Sequence, residues 1–456
     1  MQAKQVINHR QIAWITGGIL MTSSLVSLPQ PLAVIAKNDA WLSQLLPVCY
    51  AILVAYVFER LIRAYPRKNL FEIIVETMGR YLGGIINGAL LLYLLAVLVR
   101  DVKGVGHFLK LSLLRDTPLE IILLVFVLVL LYFGRTSLEI PARVNEMYFP
   151  LYFSLSFVMY FILANEYNLQ RIEPVLESKL TALLLSNWMA SGMYGDIFIW
   201  AAFLHTISQS RLYFSSVKHG AIMAGFSIML IIVIQLGVLG YIITSRLNFP
   251  VYVLVQQIHL TDFLERVEVI LFSIWFPAFT IKVVITYMAV LIGLGSVVGK
   301  ENYNELNAPL CWLVLTVSLI AFPHLRDVVS FIGYLLPILV TVLQWPVLLF
   351  LFFHAHKKVK QRTGTQEGDH PLIRRFRLYC RLGWVAIGIC AVSVTAGSFL
   401  EPHNGTWGLA LGVVFFFSFL AALIFSYLEM QSLNHIVTIA KQLSHESQRG
   451  NATESS

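Results

Sequence analysis

The sequence predicts an all-α integral membrane protein of about twelve spanning helices, because runs long enough to cross a roughly 30 Å hydrocarbon core recur along it. Two further observations agree. Of 456 residues, 57% are hydrophobic and 13% charged, with mean hydropathy +0.74, where a soluble chain carries about 25% charged residues. The alternating segments of roughly ten residues that a transmembrane barrel needs are absent from the sequence.

In chain order the expected spans are Gln11–Ile35, Trp41–Phe58, Gly83–Val99, Leu119–Phe133 and Tyr148–Ala164, then Leu184–Ile207, Ala221–Thr244, Val267–Val298, Ala308–Phe322 and Val328–Phe353. A last pair follows, Leu382–Leu400 and Trp407–Leu428. Helices fit because each satisfies its own backbone in lipid. Asp39-Ala40-Trp41 reads as a cap and an outer interfacial anchor for the second span. Thr117-Pro118 reads as a cap and first-turn proline for the fourth. Phe249 to Glu268 is too polar to span and too apolar for an ordinary loop, so an amphipathic or re-entrant helix is expected there, with Leu264-Glu265-Arg266 anchoring span eight. The organisation expected is a core over 1–356, a basic linker over 357–381, a helix pair over 382–429 and a polar tail over 430–456.

The polar start MQAKQVINHR lacks the pattern of a cleavable signal. Most of the 33 Lys and Arg residues fall in loops on the N-terminal side, so both termini are expected in the cytoplasm. The net charge of +8 is explained by anionic lipid headgroups and implies no nucleic-acid partner. Cys49, Cys311, Cys380 and Cys390 show no metal-ligand spacing and read as packing residues. Neither HExxH nor GxSxG occurs, so no enzyme, cofactor or metal is expected.

Ten spans fall into two sets of five, and the first of each set is unusually polar. Span one holds Thr16-Gly17-Gly18 and Thr22-Ser23-Ser24, with Pro29 and Pro31 at its exit. Span six holds Ser191-Gly192 and Tyr194-Gly195-Asp196. Matched glycine-interrupted segments in two halves point to a transporter-type site. The break in span one is expected at Gly17-Gly18, where a glycine pair weakens the helix most, and freed N–H groups there suit a carboxylate. Glycine and serine in spans also serve close helix packing, the role expected of Gly84-xxx-Gly88. The candidate ligand-binding residues are therefore Thr16, Gly17, Gly18, Thr22, Ser23, Ser191, Gly192, Tyr194, Gly195 and Asp196.

Charges inside spans are costly and mark function. Asp196 could face a cavity, bind a cation or a ligand amino group, or bond a neighbouring helix. Lys282, near Thr280, could stabilise a ligand carboxylate, stand where a transporter holds a cation, or snorkel to the headgroups. Lys282 and Thr280 are kept as ion or gating candidates. His205 reads as a packing or interfacial histidine.

Several segments, in order, carry a more specific signal: NDAWLSQLL (Asn38–Leu46), YPRKNLFEIIVETMGRYLG (Tyr65–Gly83), RDTPLEII (Arg115–Ile122), YFGRTSLEIPARVNEMYFP (Tyr132–Pro150), RIEPVLE (Arg171–Glu177), FPVYVLVQQI (Phe249–Ile258) and FLERVEVILFSIWF (Phe263–Phe276). This series resembles the spore-germination B-subunit family, the polytopic subunit of nutrient germinant receptors. That family is in turn similar to the amino acid–polyamine–organocation transporters. The resemblance implies a LeuT-like core of five-plus-five inverted repeats with the site between spans one and six. It implies a subunit that senses a nutrient, often an amino acid, in the spore inner membrane. An A subunit and a C lipoprotein would be its partners; the alternative is an amino-acid permease. Residues from Lys357 onward lie outside the resemblance, and span six lacks the proline expected after its acidic residue.

Overall fold

The computed structural model describes residues 7–258, 267–300, 303–360, 371–400 and 405–454. A capping box opens the first helix: the Asn8 side chain accepts the Gln11 N–H (2.8 Å) and the Gln11 side chain accepts that of Asn8 (2.9 Å). Helix α1 (His9–Ser27) then runs without interruption through Gly17 and Gly18. The bend comes later. Pro29 and Pro31 carry no N–H, so the carbonyls of Leu25 and Ser27 lose their helical donors. The chain turns by 63° at Leu28 into α2 (Pro29–Ala36).

A 3-10 turn, Lys37–Leu42, follows. Its Asp39 is buried and accepts the N–H groups of Leu176 and Ser178 (2.9 Å to Ser178). Asp39 therefore ties this turn to the loop before span six rather than capping span two. Trp41 is buried too, edge-on to Phe415 at 5.6 Å. It is a packing residue because the C-terminal helices cover it.

Helices α3 (Leu45–Ala64), α4 (Leu70–Met78), α5 (Arg80–Ser112), α6 (Leu119–Phe133) and α7 (Glu139–Ile162) complete the first five spans. Gly79, at φ 81, makes the sharp turn between α4 and α5. Gly84 and Gly88 have open space where a Cβ would stand, so they do not form the close-packing stripe expected of them. Pro118 precedes α6 as its cap residue.

The second set begins with α8 (Leu180–Tyr194), which tightens at Gly195 into a 3-10 helix, Gly195–Thr206. Then come α9 (Ser210–Arg246), α10 (Pro250–Gln256), α11 (Val267–Val298) and α12 (Asn304–Ile320). The tenth span joins α13 (Leu325–Ser330), α14 (Leu336–Leu339) and α15 (Trp345–Lys360) through π-helical turns at Phe331–Leu335 and Val340–Gln344. Helix α10 lies within the segment expected to be amphipathic, whereas Leu264-Glu265-Arg266 falls outside the described residues. The last pair is α16 (Pro371–Leu400) and α17 (Gly405–Glu454). Helix α17 continues through the segment expected to be a polar tail.

Among the described residues, seven helices are long and apolar enough to cross a membrane, and the bent α1–α2 pair makes an eighth. The shorter α6 and α12, with α7 and the α8 span, occupy the other expected positions. Helix α9 sits at the centre, with 89% of its apolar window inside the protein. It packs on α1 on one side and on α3 and α17 on others. A Cβ on Gly220 would lie 2.3 Å from the Ala13 carbonyl oxygen, so α9 and α1 touch backbone to backbone there. Gly220→Val is expected to cost at least about 1–3 kcal/mol of stability, since backbone cannot yield as a side chain can. The check is thermal unfolding in detergent, where a wild-type midpoint would contradict this contact.

Candidate functional site

Four buried charges meet at the centre of the first ten spans. Arg100 and Asp101 are neighbours on α5, Asp196 lies one residue into the 3-10 half of span six, and Lys282 is on α11. The Arg100 guanidinium reaches back to Asp101 (2.7 Å) and across to Asp196 (2.7 Å). The Lys282 ammonium contacts Asp101 (2.9 Å) and Asp196 (2.6 Å). The charges thus alternate around a closed ring of zero net charge. Ser23 of α1 joins it, accepting from Lys282 (2.5 Å) and donating to Asp101 (3.3 Å). None of the four charged side chains is more than 3% exposed. Each alone would cost at least about 2.5–3.5 kcal/mol at the bilayer centre. Only mutual pairing makes such burial tolerable.

A cavity of about 40 Å³ adjoins the ring, bounded by Ser23, Val26, Ser27, Arg100, Asp101 and Phe249 among others. Arg100 and Asp101 present opposite charges to it. It also lies against the end of α1, where the Leu25 and Ser27 carbonyls lack helical donors and the helix dipole is negative. Phe108 gathers an aromatic cluster beside it, with Phe249 at 5.2 Å, Trp275 at 5.1 Å and Phe272 at 4.8 Å. The Trp275 indole donates to the Thr22 carbonyl (3.0 Å), holding α11 against α1 just before the bend.

Of the residues expected from sequence, Ser23, Asp196 and Lys282 come together here. Thr16 and Thr22 turn their hydroxyls onto the Ile12 and Gly18 carbonyls of their own helix (2.8 Å each), and Thr16 also accepts from Trp200 (3.0 Å). Gly17 lies under Phe149, where a Cβ would stand 2.6 Å from the ring, and Gly18 lies beside Asn145. Gly192 packs on Pro337, and Ser191 bonds the Asn187 carbonyl (2.9 Å). Thr280 bonds the Phe276 carbonyl (2.8 Å) and lines an apolar cavity of about 560 Å³ between α6, α7 and α11, away from the ring. His205 is half-buried near the end of the 3-10 helix.

Gly195 marks the change from α to 3-10 geometry. Its carbonyl accepts from Gln344 (3.1 Å), which in turn accepts from Tyr50. Gln344 is the last residue of a π-helical turn, a local widening that often marks functional positions. Tyr194 donates to Gln44 (3.2 Å). Span six is therefore interrupted at Gly195-Asp196 by a change of helix type, whereas span one is interrupted at its prolines.

Arg100 and Asp101 escaped the sequence reading because span three was ended at Val99, where hydropathy falls. The available signal was electrostatic: Asp196 and Lys282, both at membrane depth, each required a partner.

In overall shape the chain follows solved transporters. It aligns with Mhp1, a nucleobase-cation-symport-1 family transporter, at TM-score 0.54 and 10% identity, over 94% of this chain and 93% of that one. It aligns with the manganese transporter of Eremococcus coleocola at TM-score 0.51 and 13% identity, over 93% and 94%. These show the fold, a LeuT-like five-plus-five core carrying two further helices. The sequence decides the family, because the profile described as spore germination protein matches residues 6–325. The chain belongs to the spore germination protein family. Its relatives in Bacillus subtilis include YfkT, 26% identical over 67% of this chain and 87% of that protein. Spore germination protein KB is 22% identical (76% and 94%), and spore germination protein A2 is 21% identical (77% and 97%). The chain is thus a multi-pass, permease-like membrane protein of spore germination. The family match ends before α15, so α16 and α17 lie outside it.

Proposed function

We propose that the chain is the germinant-sensing B subunit of a nutrient receptor and binds a free amino acid beside the charge ring. The observation that carries this reading is the pair Arg100 and Asp101, which offers opposite charges to one cavity at the bend of span one. A ligand carboxylate would take the Arg100 fork, which suits planar anions. Its ammonium would take Asp101 and the α1 carbonyls, the negative end of that helix. Ser23, Asp196 and Lys282 would rearrange as the ring opens to admit these charges. At about 40 Å³ the cavity has room for water but not for an amino acid, so binding requires α1 and α2 to part at Leu28. The ligand then shifts the population toward the opened arrangement. An A subunit, a C lipoprotein, the spore inner membrane and cytoplasmic termini complete the proposal, supported by the germination proteins among its relatives and by the basic loops.

A binding assay on the purified chain, using free amino acids, their amides, the corresponding amines and sugars, tests this. Amides and amines are expected to bind at least about tenfold more weakly than the parent amino acid, because each loses a charge-assisted bond. Equal binding by the amine would remove Arg100 from the site. The transporter neighbours favour a permease as the second reading. Uptake into proteoliposomes by this chain alone would select it, whereas a response that needs co-expressed partners without net flux selects the receptor.

A further inference from the structure

The end of the protein that carries Asn8, the C-terminal end of α3 and the start of α9 holds a second polar cavity, of about 410 Å³. It lies between the core and the C-terminal helix pair. Its lining includes four guanidinium groups, Arg60 and Arg63 from α3, Arg211 from α9 and Arg377 from α16. Against these stand two carboxylates, Glu59 and Glu429, leaving an excess of two positive charges among the lining side chains. Both carboxylates already have cations. Glu59 pairs with Arg63 and lies 3.7 Å from Arg60, while Glu429 holds Lys218 of α9 at 2.7 Å. The side chains of Arg60 and Arg63 remain 23% and 27% exposed, so the guanidiniums are reachable.

The rest of the wall is mostly apolar. Phe214, Phe376, Leu433 and Ile436 line it beside Tyr56, Ser215 and Cys380. A cavity with a guanidinium cluster on one side and aromatic and aliphatic groups on the other matches an amphiphile with a phosphate head. Guanidinium forks suit phosphate oxygens in particular. This end of the bundle carries the chain's basic loops, which places it at an anionic leaflet, and basic pockets between spanning helices there take lipid headgroups. We propose that this cavity binds the phosphate headgroup of an anionic phospholipid, clamped between the core and the helix pair. Phe376, Arg377, Cys380, Glu429, Leu433 and Ile436 all fall beyond the family match. The segment beyond the family match therefore completes a site whose other wall belongs to the core, and it shares no lining residue with the cavity beside the charge ring.

The test uses the full-length protein in neutral detergent, followed by native mass spectrometry and thermal unfolding. The probes are phosphatidylglycerol, phosphatidylcholine with matched chains, and inorganic phosphate. Phosphatidylglycerol is expected to stay bound and raise the unfolding midpoint, with neither effect from the other two. The double variant Arg60→Gln/Arg377→Gln is expected to retain it at least about tenfold more weakly, while Arg115→Gln, on an exposed loop, retains it fully. Should the double variant not fold, thiol labelling of the wild type decides. Phosphatidylglycerol should protect Cys380, which lines the cavity, and leave Cys49 unprotected. Equal retention of phosphatidylcholine, or no protection of Cys380, overturns the proposal. A full midpoint shift with inorganic phosphate alone would reassign the cavity to a soluble anion.

Discussion

Asp196→Asn is expected to destabilise the protein by about 3–5 kcal/mol, the cost of leaving a buried charge without its partner. The variant keeps the shape of the side chain but leaves Arg100 and Lys282 facing the single carboxylate of Asp101. A net positive charge then sits at a depth where one alone costs at least about 2.5–3.5 kcal/mol. The compensated variant Asp196→Asn/Lys282→Met removes one charge of each sign and leaves the Arg100–Asp101 pair intact. Removing a whole buried pair is often neutral, so this double variant should unfold near the wild-type midpoint. If the proposed site is right, it should nevertheless lose the amino-acid response, since the ring proposed to open around the ligand is gone. Thermal unfolding separates stability from response. If the single variant unfolds at the wild-type temperature, the four charges are not paired as described.

The second large effect concerns the C-terminal pair. Lys218 on α9 and Glu429 on α17 form a fully buried ion pair at 2.7 Å, and the Lys218 ammonium also lies 5.2 Å from the Trp384 ring centre on α16. Beside it, His219 and Ser426 share a hydrogen bond of 2.9 Å. Lys218→Met is expected to cost about 3–5 kcal/mol by leaving the buried Glu429 carboxylate without its lysine. Lys218→Met/Glu429→Leu should recover most of that loss. Removing residues 371–456 should be as harmful as the single variant, because it exposes the Lys218 ammonium to lipid. A truncated chain as stable as the full one would show that the pair contributes nothing to the core.

The spans were legible because hydropathy alone reports them, and most lie where apolar runs placed them. The bend in span one was legible only as polarity. Gly17 and Gly18 weaken a helix yet keep their N–H groups, so packing under Phe149 holds them helical. Pro29 and Pro31 remove N–H groups outright, and no packing restores those bonds. Asp196 and Lys282 could be read singly, but their ring could not, because sequence displays charges without their pairing. Lys218 looked like a loop residue ahead of a span starting at Ala221; the helix in fact starts at Ser210. What covers that residue is written 211 positions further on.

That distance has a consequence in time. A ribosome adding about 5–20 residues per second needs about 10–40 s to travel from Lys218 to Glu429. Throughout that interval α9 exists with its lysine made and the matching glutamate unmade. The ammonium is expected to stay near the headgroups until the last span arrives. The helix at the centre of the finished protein is then expected to be among the last to settle.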